Sequence, residues 1–336
     1  MLVKLIALIL STIAIMMANL CLGDLCVDPA QALMALSEKG MDSQLGQIIY
    51  SIRLPRLLTA ALVGLALAVS GYLLQAVSRN DLADPYLTGV SSGAALGVAL
   101  ALILQWDFQA IPALAFGGGL AMSLLVAYLA RSGRGLSVPK LLLSGVALSA
   151  IATALINLAM TCFGTQLMTQ GLNLWMLGGV SGRSWSELLP ASFYVGVGLL
   201  AALAAAKQLR LLSLGEEAAC ALGLNVGRAQ LLVLAAAVLL ASTAVALSGM
   251  VGFVGLVAPH LARRIFAGST SSQYAERLQI VAAGLTGAAM VLCSDLLARM
   301  VSPGQELPLG TLMALLGGPF FIYLLSRSVD HVQARG

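Results

Sequence analysis

Side chains that do chemistry are scarce in this chain, and their spacing builds no catalytic constellation. Cys21, Cys26, Cys162, Cys220 and Cys293 are scattered without a CxxC pair. They read as buried small apolar side chains, with no disulfide framework and no metal site. His260 follows Pro259 at the end of a short apolar run and reads as structural, not as a metal ligand. There are no paired carboxylates, no HExxH, no Ser/His/Asp set and no phosphate-binding glycine loop. Two features remain. One is the adjacent pair Glu216–Glu217 within "LLSLGEEAACALGLNVGRAQ", residues 211–230, a polar island in an apolar chain. The other is a set of arginines, Arg53, Arg56, Arg183 and Arg299, whose guanidinium forks suit carboxylate partners. Each has two readings: partner docking for both, or headgroup anchors in the case of the arginines and a plain surface turn between spans in the case of the island.

The elements that carry these residues are membrane helices. Of 336 residues 60% are hydrophobic and 10% charged, with a mean hydropathy of +0.96. Soluble domains are about 45–50% apolar and about 25% charged. Apolar runs lie near 3–22, 57–77, 86–104, 110–130, 141–160, 188–206, 229–249, 250–262, 278–298 and 307–326. About ten transmembrane helices in an all-α integral membrane protein are expected, in a single transmembrane domain over 1–336. The first run is too long for a signal-peptide core and no small-x-small cleavage site follows it, so it reads as a retained helix. Leu172 to Val180 reads as a half-helix. Glycines at Gly93, Gly97, Gly117–Gly119, Gly284, Gly287, Gly317 and Gly318 fit close helix packing.

Orientation follows from the cations. With a cytoplasmic N-terminus, thirteen fall inside: Lys4, Arg79, Arg131, Arg134, Lys140, Lys207, Arg210, Arg228, Arg263, Arg264, Arg277, Arg327 and Arg335. Five fall outside: Lys39, Arg53, Arg56, Arg183 and Arg299. Both termini and the island are therefore expected in the cytoplasm. Away from their ends the runs hold no Asp, Glu, Lys or Arg, and Asn157 is a notable polar exception. Ion-coupled carriers keep ionisable groups at depth because such groups are costly there and serve function. Their absence points to energy from an attached ATPase. An ion-coupled secondary transporter of a small solute is the alternative, and a membrane enzyme lacks the catalytic groups.

The island then acquires a form. Ser213-x-x-Glu216 reads as a capping box, with Glu216 and Glu217 in a first turn favoured by the helix dipole. Gly223 reads as the C-cap. A helix of about nine residues, about 13 Å long, results. It is too short to span a bilayer and presents Ala218, Ala221 and Leu222 on one face.

Four segments carry a resemblance. "RLPRLLTAALVGLALAVSGYLLQAVSRNDLADPYLTGVSSGAALG" (53–97), "LSLGEEAACALGLNV" (212–226), "SGMVGFVGLVAPHLAR" (248–263) and "ELPLGTLMALLGGPFFIYLL" (306–325) stand in order along the chain. They resemble the ABC-importer permease family for iron-siderophores, haem and cobalamin. The resemblance implies ten helices with an inverted repeat, helices 2–5 against 7–10, of which the sequence shows only an echo in Ser70-Gly71 and Ser248-Gly249. It implies a homodimer in a bacterial inner membrane, with two cytoplasmic ATPases binding ATP and Mg and an extracytoplasmic binding protein. No cofactor, metal or nucleic acid is implied on this chain.

Carried over position by position, 213–226 matches the family's coupling segment. Leu214, Gly215, Glu216, Glu217, Ala218, Ala221, Leu222 and Gly223 are its contact residues. Arg53 and Arg56 in "RLPR", and Arg299, match arginines that pair with acidic residues of the binding protein. The Pro259–His260 pair is shared with the family. Arg183 departs from the family pattern and is a candidate for attracting an anionic substrate. Tyr72, Gln75, Met168 and Met176 are candidate pathway residues. Iron-siderophore stands first as substrate, haem and cobalamin next.

Overall fold

A computed structural model describes residues 2–23, 27–35, 43–132, 135–266, 275–301 and 307–333. Cys26, Lys39, Arg134, Glu306 and Arg335 lie outside the described residues. The chain is a succession of helices: α1 (Leu2–Cys21), α2 (Pro29–Ala35), α3 (Gln44–Ile48), α4 (Leu54–Ser78), α5 (Val90–Ile103), α6 (Ile111–Leu129), α7 (Val138–Phe163) and α8 (Gln166–Leu177). There follow α9 (Trp185–Ala204), α10 (Ala206–Ser213), α11 (Glu216–Ala221), α12 (Val226–Ser248), α13 (Val254–Ile265), α14 (Ala275–Val301) and α15 (Leu309–Gln333). A π-helical turn, Ile49–Arg53, runs α3 into α4. Among the described residues the only strands are β1 (Arg131–Ser132) and β2 (Gly135–Leu136), an antiparallel ribbon between α6 and α7.

Each apolar run of the sequence falls on a helix. Seven helical stretches are long and apolar enough to cross a membrane: α1, the continuous α3–α4 stretch, α6, α7, α9, α12 and α14. The others on the runs are shorter: α5 has 14 residues, α13 has 12, and the apolar part of α15 ends at Ile322. The expected half-helix is longer than its apolar stretch. Thr165 accepts the Met168 N–H and starts α8 six residues before Leu172, and Gly178 (φ +74°) ends it. A hydroxyl cap sets that start, which hydrophobicity alone does not reveal.

Two helices form the centre. α4 and α12 are buried along most of their length, whereas α1, α7 and α9 turn apolar faces outward. α4 packs on α12, α13 and α14, and α12 packs on α5, α6 and α9. Exchanging α4–α7 with α12–α15 maps the α4–α14 contact onto α12–α6, α5–α6 onto α13–α14, and α4–α13 onto α12–α5. This is the pairing an inverted repeat generates. The Ser-Gly echo is not part of it: Gly71 lies inside α4 and Gly249 (φ +65°) ends α12.

Glycine sets the central spacing. A Cβ at Gly64 would stand 2.2 Å from the Gly287 carbonyl oxygen, and one at Gly71 would stand 1.9 Å from that of Gly255. These backbones touch because neither side carries a side chain. Gly117 and Gly318, by contrast, face open space.

Candidate functional site

The polar segment 213–226 is built differently from its sequence signature. Leu209 and Leu212 are buried at 0% and 2% exposure, so the apolar face of α10 carries the helix on through Ser213. Ser213 therefore ends one helix instead of capping the next, and its Oγ donates to the Arg210 carbonyl at 2.8 Å. Gly215 breaks the chain at φ +115°, ψ 150°, a region open in practice only to glycine. No capping box forms, and Glu216 Oε1 instead accepts the Gln230 Nε2–H at 3.2 Å. α11 has six residues, shorter than the nine expected, because α10 absorbs the serine end.

The C-terminal expectation holds. Gly223 (φ +80°) donates to the Cys220 carbonyl at 2.9 Å, and Leu224 to that of Ala219 at 3.0 Å. This is a Schellman closure. Ala219 is fully buried and pins α11 to the body. Leu214, Glu216, Glu217, Ala218, Ala221, Leu222 and Gly223 are exposed, and Gly215 is half-buried. Leu214 and Leu222 project apolar side chains at 59% and 62% exposure. The exposed face also includes Cys220; the sequence reading of the cysteines as buried apolar side chains fails here and at Cys162 and Cys293.

The arginines gather where the ends of α1, α4 and α14 meet. Arg56 holds the Asp295 carboxylate with Nε at 3.0 Å and Nη2 at 2.9 Å, and Arg299 Nη2 reaches its other oxygen at 3.2 Å. The Asp295 side chain is 2% exposed, those of Arg56 and Arg299 16% and 13%. Arg299 also donates to the Asn19 side chain and to the Leu22 carbonyl, and Arg53 donates to the Leu20 carbonyl. Asp295 is the counter-ion of the cluster, a pairing that sequence reasoning did not find. Its one visible trace is the i, i+4 spacing to Arg299.

The segment around α11 and the arginine cluster sit at opposite ends of α4. Arg53 precedes its first turn, while Arg79 caps its last and approaches Gly215. Twenty-five helical residues separate them, about 37 Å, more than the roughly 30 Å hydrocarbon core of a bilayer.

The pathway candidates are dispersed. Tyr72 and Gln75 are buried at 6% and 3% exposure, engaged within the chain rather than facing an opening. The Tyr72 hydroxyl donates to Glu276 at 2.6 Å. Gln75 donates to the Gly255 and Ala83 carbonyls and accepts from Arg263 at 2.7 Å. Met168 and Met176, on α8, are half-buried against a secondary apolar cluster around Val90 and Val245. Arg183 is paired with Glu187 at 3.2 Å. Glu187 lines a cavity of about 410 Å³ between α6, α9 and α12, walled by Phe108, by Phe116 stacked on Tyr194, and by Thr243. His260 meets Phe320 edge-on.

A model of the FecCD transport family matches residues 9–327. This chain belongs to the FecCD transport family. It is 41% identical to the hemin transport system permease protein HmuU of Yersinia pestis, over 82% of each chain. It is 39% identical to the Fe(3+) dicitrate transport system permease protein FecD of Escherichia coli, over 83% of this chain and 85% of the relative. It is 37% identical to the vitamin B12 import system permease protein BtuC of Klebsiella pneumoniae, over 93% and 90%. A solved inward-facing structure described as a metal-chelate type ABC transporter superposes with a TM-score of 0.84 at 29% identity, covering 96% of this chain and 98% of that one. A multi-pass FecCD-family protein is thus a permease subunit of an ABC importer. It is non-catalytic, with a separate ATPase and a substrate-binding protein as the partners the family implies.

Proposed function

We propose that this FecCD-family permease moves a metal chelate from a binding protein into the cytoplasm across a bacterial inner membrane. The chain works as a homodimer on two ATPase subunits, which bind the ATP and Mg. Each protomer crosses the membrane about ten times with both termini in the cytoplasm. The chelate is an iron-siderophore ahead of haem and cobalamin, a class consistent with relatives named for hemin, Fe(3+) dicitrate and vitamin B12. The segment 213–226 seats in the ATPase, through the exposed Leu214, Glu217, Ala218, Ala221 and Leu222. Arg53, Arg56 and Arg299 form the acceptor for acidic side chains of the binding protein.

One observation carries this reading: a rigid exposed helix and a guanidinium cluster occupy opposite ends of α4, a bilayer's thickness apart. A stiff α11 closed by the Gly223 turn is suited to receive a push, because a helix transmits displacement without bending. The test is Glu217→Arg with Ala221→Asp, reconstituted in vesicles with the ATPase and the binding protein. ATP hydrolysis should persist while uptake is lost, and normal uptake per ATP would remove the docking role.

A further inference from the structure

The buried amide of Gln230 has a role that the coupling contacts above do not include. Gln230 lies in the second turn of α12 and is 2% exposed. Its Oε1 accepts the Leu136 N–H at 2.8 Å, and its Nε2 donates to Glu216 Oε1 at 3.2 Å. Leu136 is in β2, in the α6–α7 connection, and Glu216 is the first residue of α11. One side chain therefore joins α12, the preceding α11 and the α6–α7 connection, the last 94 positions away in sequence. An amide suits the task because it offers an acceptor and a donor on one planar end. Gly135 leaves room for it: a Cβ there would stand 2.4 Å from Gln230 Oε1.

Among the described residues, this is the one side-chain hydrogen bond from α11 to another element. Gly215 and Gly223, both at positive φ, flank α11. Without the Gln230 strut, α11 keeps the packing of Ala219 but has a glycine at each end about which to turn. A displacement of α11 would then dissipate in rotation instead of reaching α12 and the α6–α7 connection.

We infer that Gln230 is a positioning residue of energy coupling, locking α11, the base of α12 and the α6–α7 connection into one body. The inference rests on the reading of α11 as the ATPase-coupling segment. Two variants test it in the complete transporter, reconstituted with ATPase and binding protein. Gln230→Met removes both hydrogen bonds at similar volume. Gln230→Glu keeps the shape and the acceptor for Leu136 but sets a second carboxylate against Glu216. In each, uptake per ATP should fall roughly five- to tenfold, the equilibrium factor of about one net hydrogen bond. The ATPase should still co-purify with the permease. Glu216→Ala combined with Gln230→Met should be no worse than the worse single change, since both remove one shared interaction.

Uptake per ATP within twofold of native in both Gln230 variants overturns the inference. So does a lowered melting temperature with unchanged coupling, which would make Gln230 a prop of the fold alone. The Glu217→Arg, Ala221→Asp protein separates the two levels. If it uncouples while the Gln230 variants do not, only this inference fails. If it too couples normally, the coupling reading of α11 fails with it.

Discussion

Replacing Asp295 by alanine tests the physical account of the arginine cluster most directly. The carboxylate is 2% exposed and receives hydrogen bonds at 2.9 Å and 3.0 Å from Arg56 and at 3.2 Å from Arg299. Removing one partner of a buried ion pair costs about 3–5 kcal/mol, chiefly by leaving the other charge uncompensated. Here the guanidiniums are 16% and 13% exposed and Arg299 keeps its bonds to Asn19 and Leu22, so water and these acceptors offset part of the loss. We expect a destabilisation of roughly 2–3 kcal/mol. At roughly 1.5 °C per kcal/mol for a chain of 336 residues, the purified permease should melt about 3–5 °C lower. Asp295→Asn keeps one acceptor oxygen and should fall between the two. Thermal unfolding in detergent reads the effect. The decisive control is Arg56→Met with Asp295→Leu, which removes the Arg56–Asp295 pair, leaves Arg299 on Asn19 and Leu22, and should recover part of the loss. An Asp295→Ala protein melting within about 1 °C of native would refute the reasoning, as would a double variant no more stable than the single.

Further outcomes follow from the same geometry. Ser213→Ala should leave stability unchanged because Ser213 caps nothing, whereas Asn225→Ala should lose about 1 kcal/mol because Asn225 accepts the Arg228 N–H at the start of α12; chemical or thermal unfolding compares the two. Gly71→Leu should abolish assembly of the helical bundle, since even its Cβ would stand 1.9 Å from the Gly255 carbonyl oxygen, and gel filtration of the detergent-extracted protein checks this. Charge reversal at Arg53 and Arg56 should weaken capture of the binding protein in a pull-down with immobilised permease. Asp84, in the α4–α5 connection, has its carboxyl pushed up to about 6 by burial. A raised carboxyl pKa favours the folded state at low pH, and that contribution is lost as pH rises from the ordinary carboxylate range through about 6. Asp84→Asn keeps the oxygen that accepts the Tyr86 N–H, so it should raise the melting temperature at pH 8 and have little effect near pH 4.

The sequence by itself determined what hydrophobicity and punctuation encode. Apolar runs fixed where helices form because lipid requires each segment to satisfy its own backbone hydrogen bonds. Gly223 forecast the end of α11 because a left-handed closing residue is a local demand. Four motif segments in order were enough for the family. What tertiary structure alone decided were the partners of the few polar side chains. Ser213-x-x-Glu216 satisfies the capping pattern, yet the buried Leu209 and Leu212 claim the serine for α10, and burial outweighs a cap. Glu216 turns to Gln230 and Arg56 to Asp295, residues that lie 14 and 239 positions away. Tyr72 and Gln75 face the packed interior because α13 and α14 cover them. A pattern read along the chain reports the periodicity of one element. Which polar atoms meet depends on how separate helices stack, and here that stacking is set by backbone contacts at Gly64, Gly71, Gly255 and Gly287.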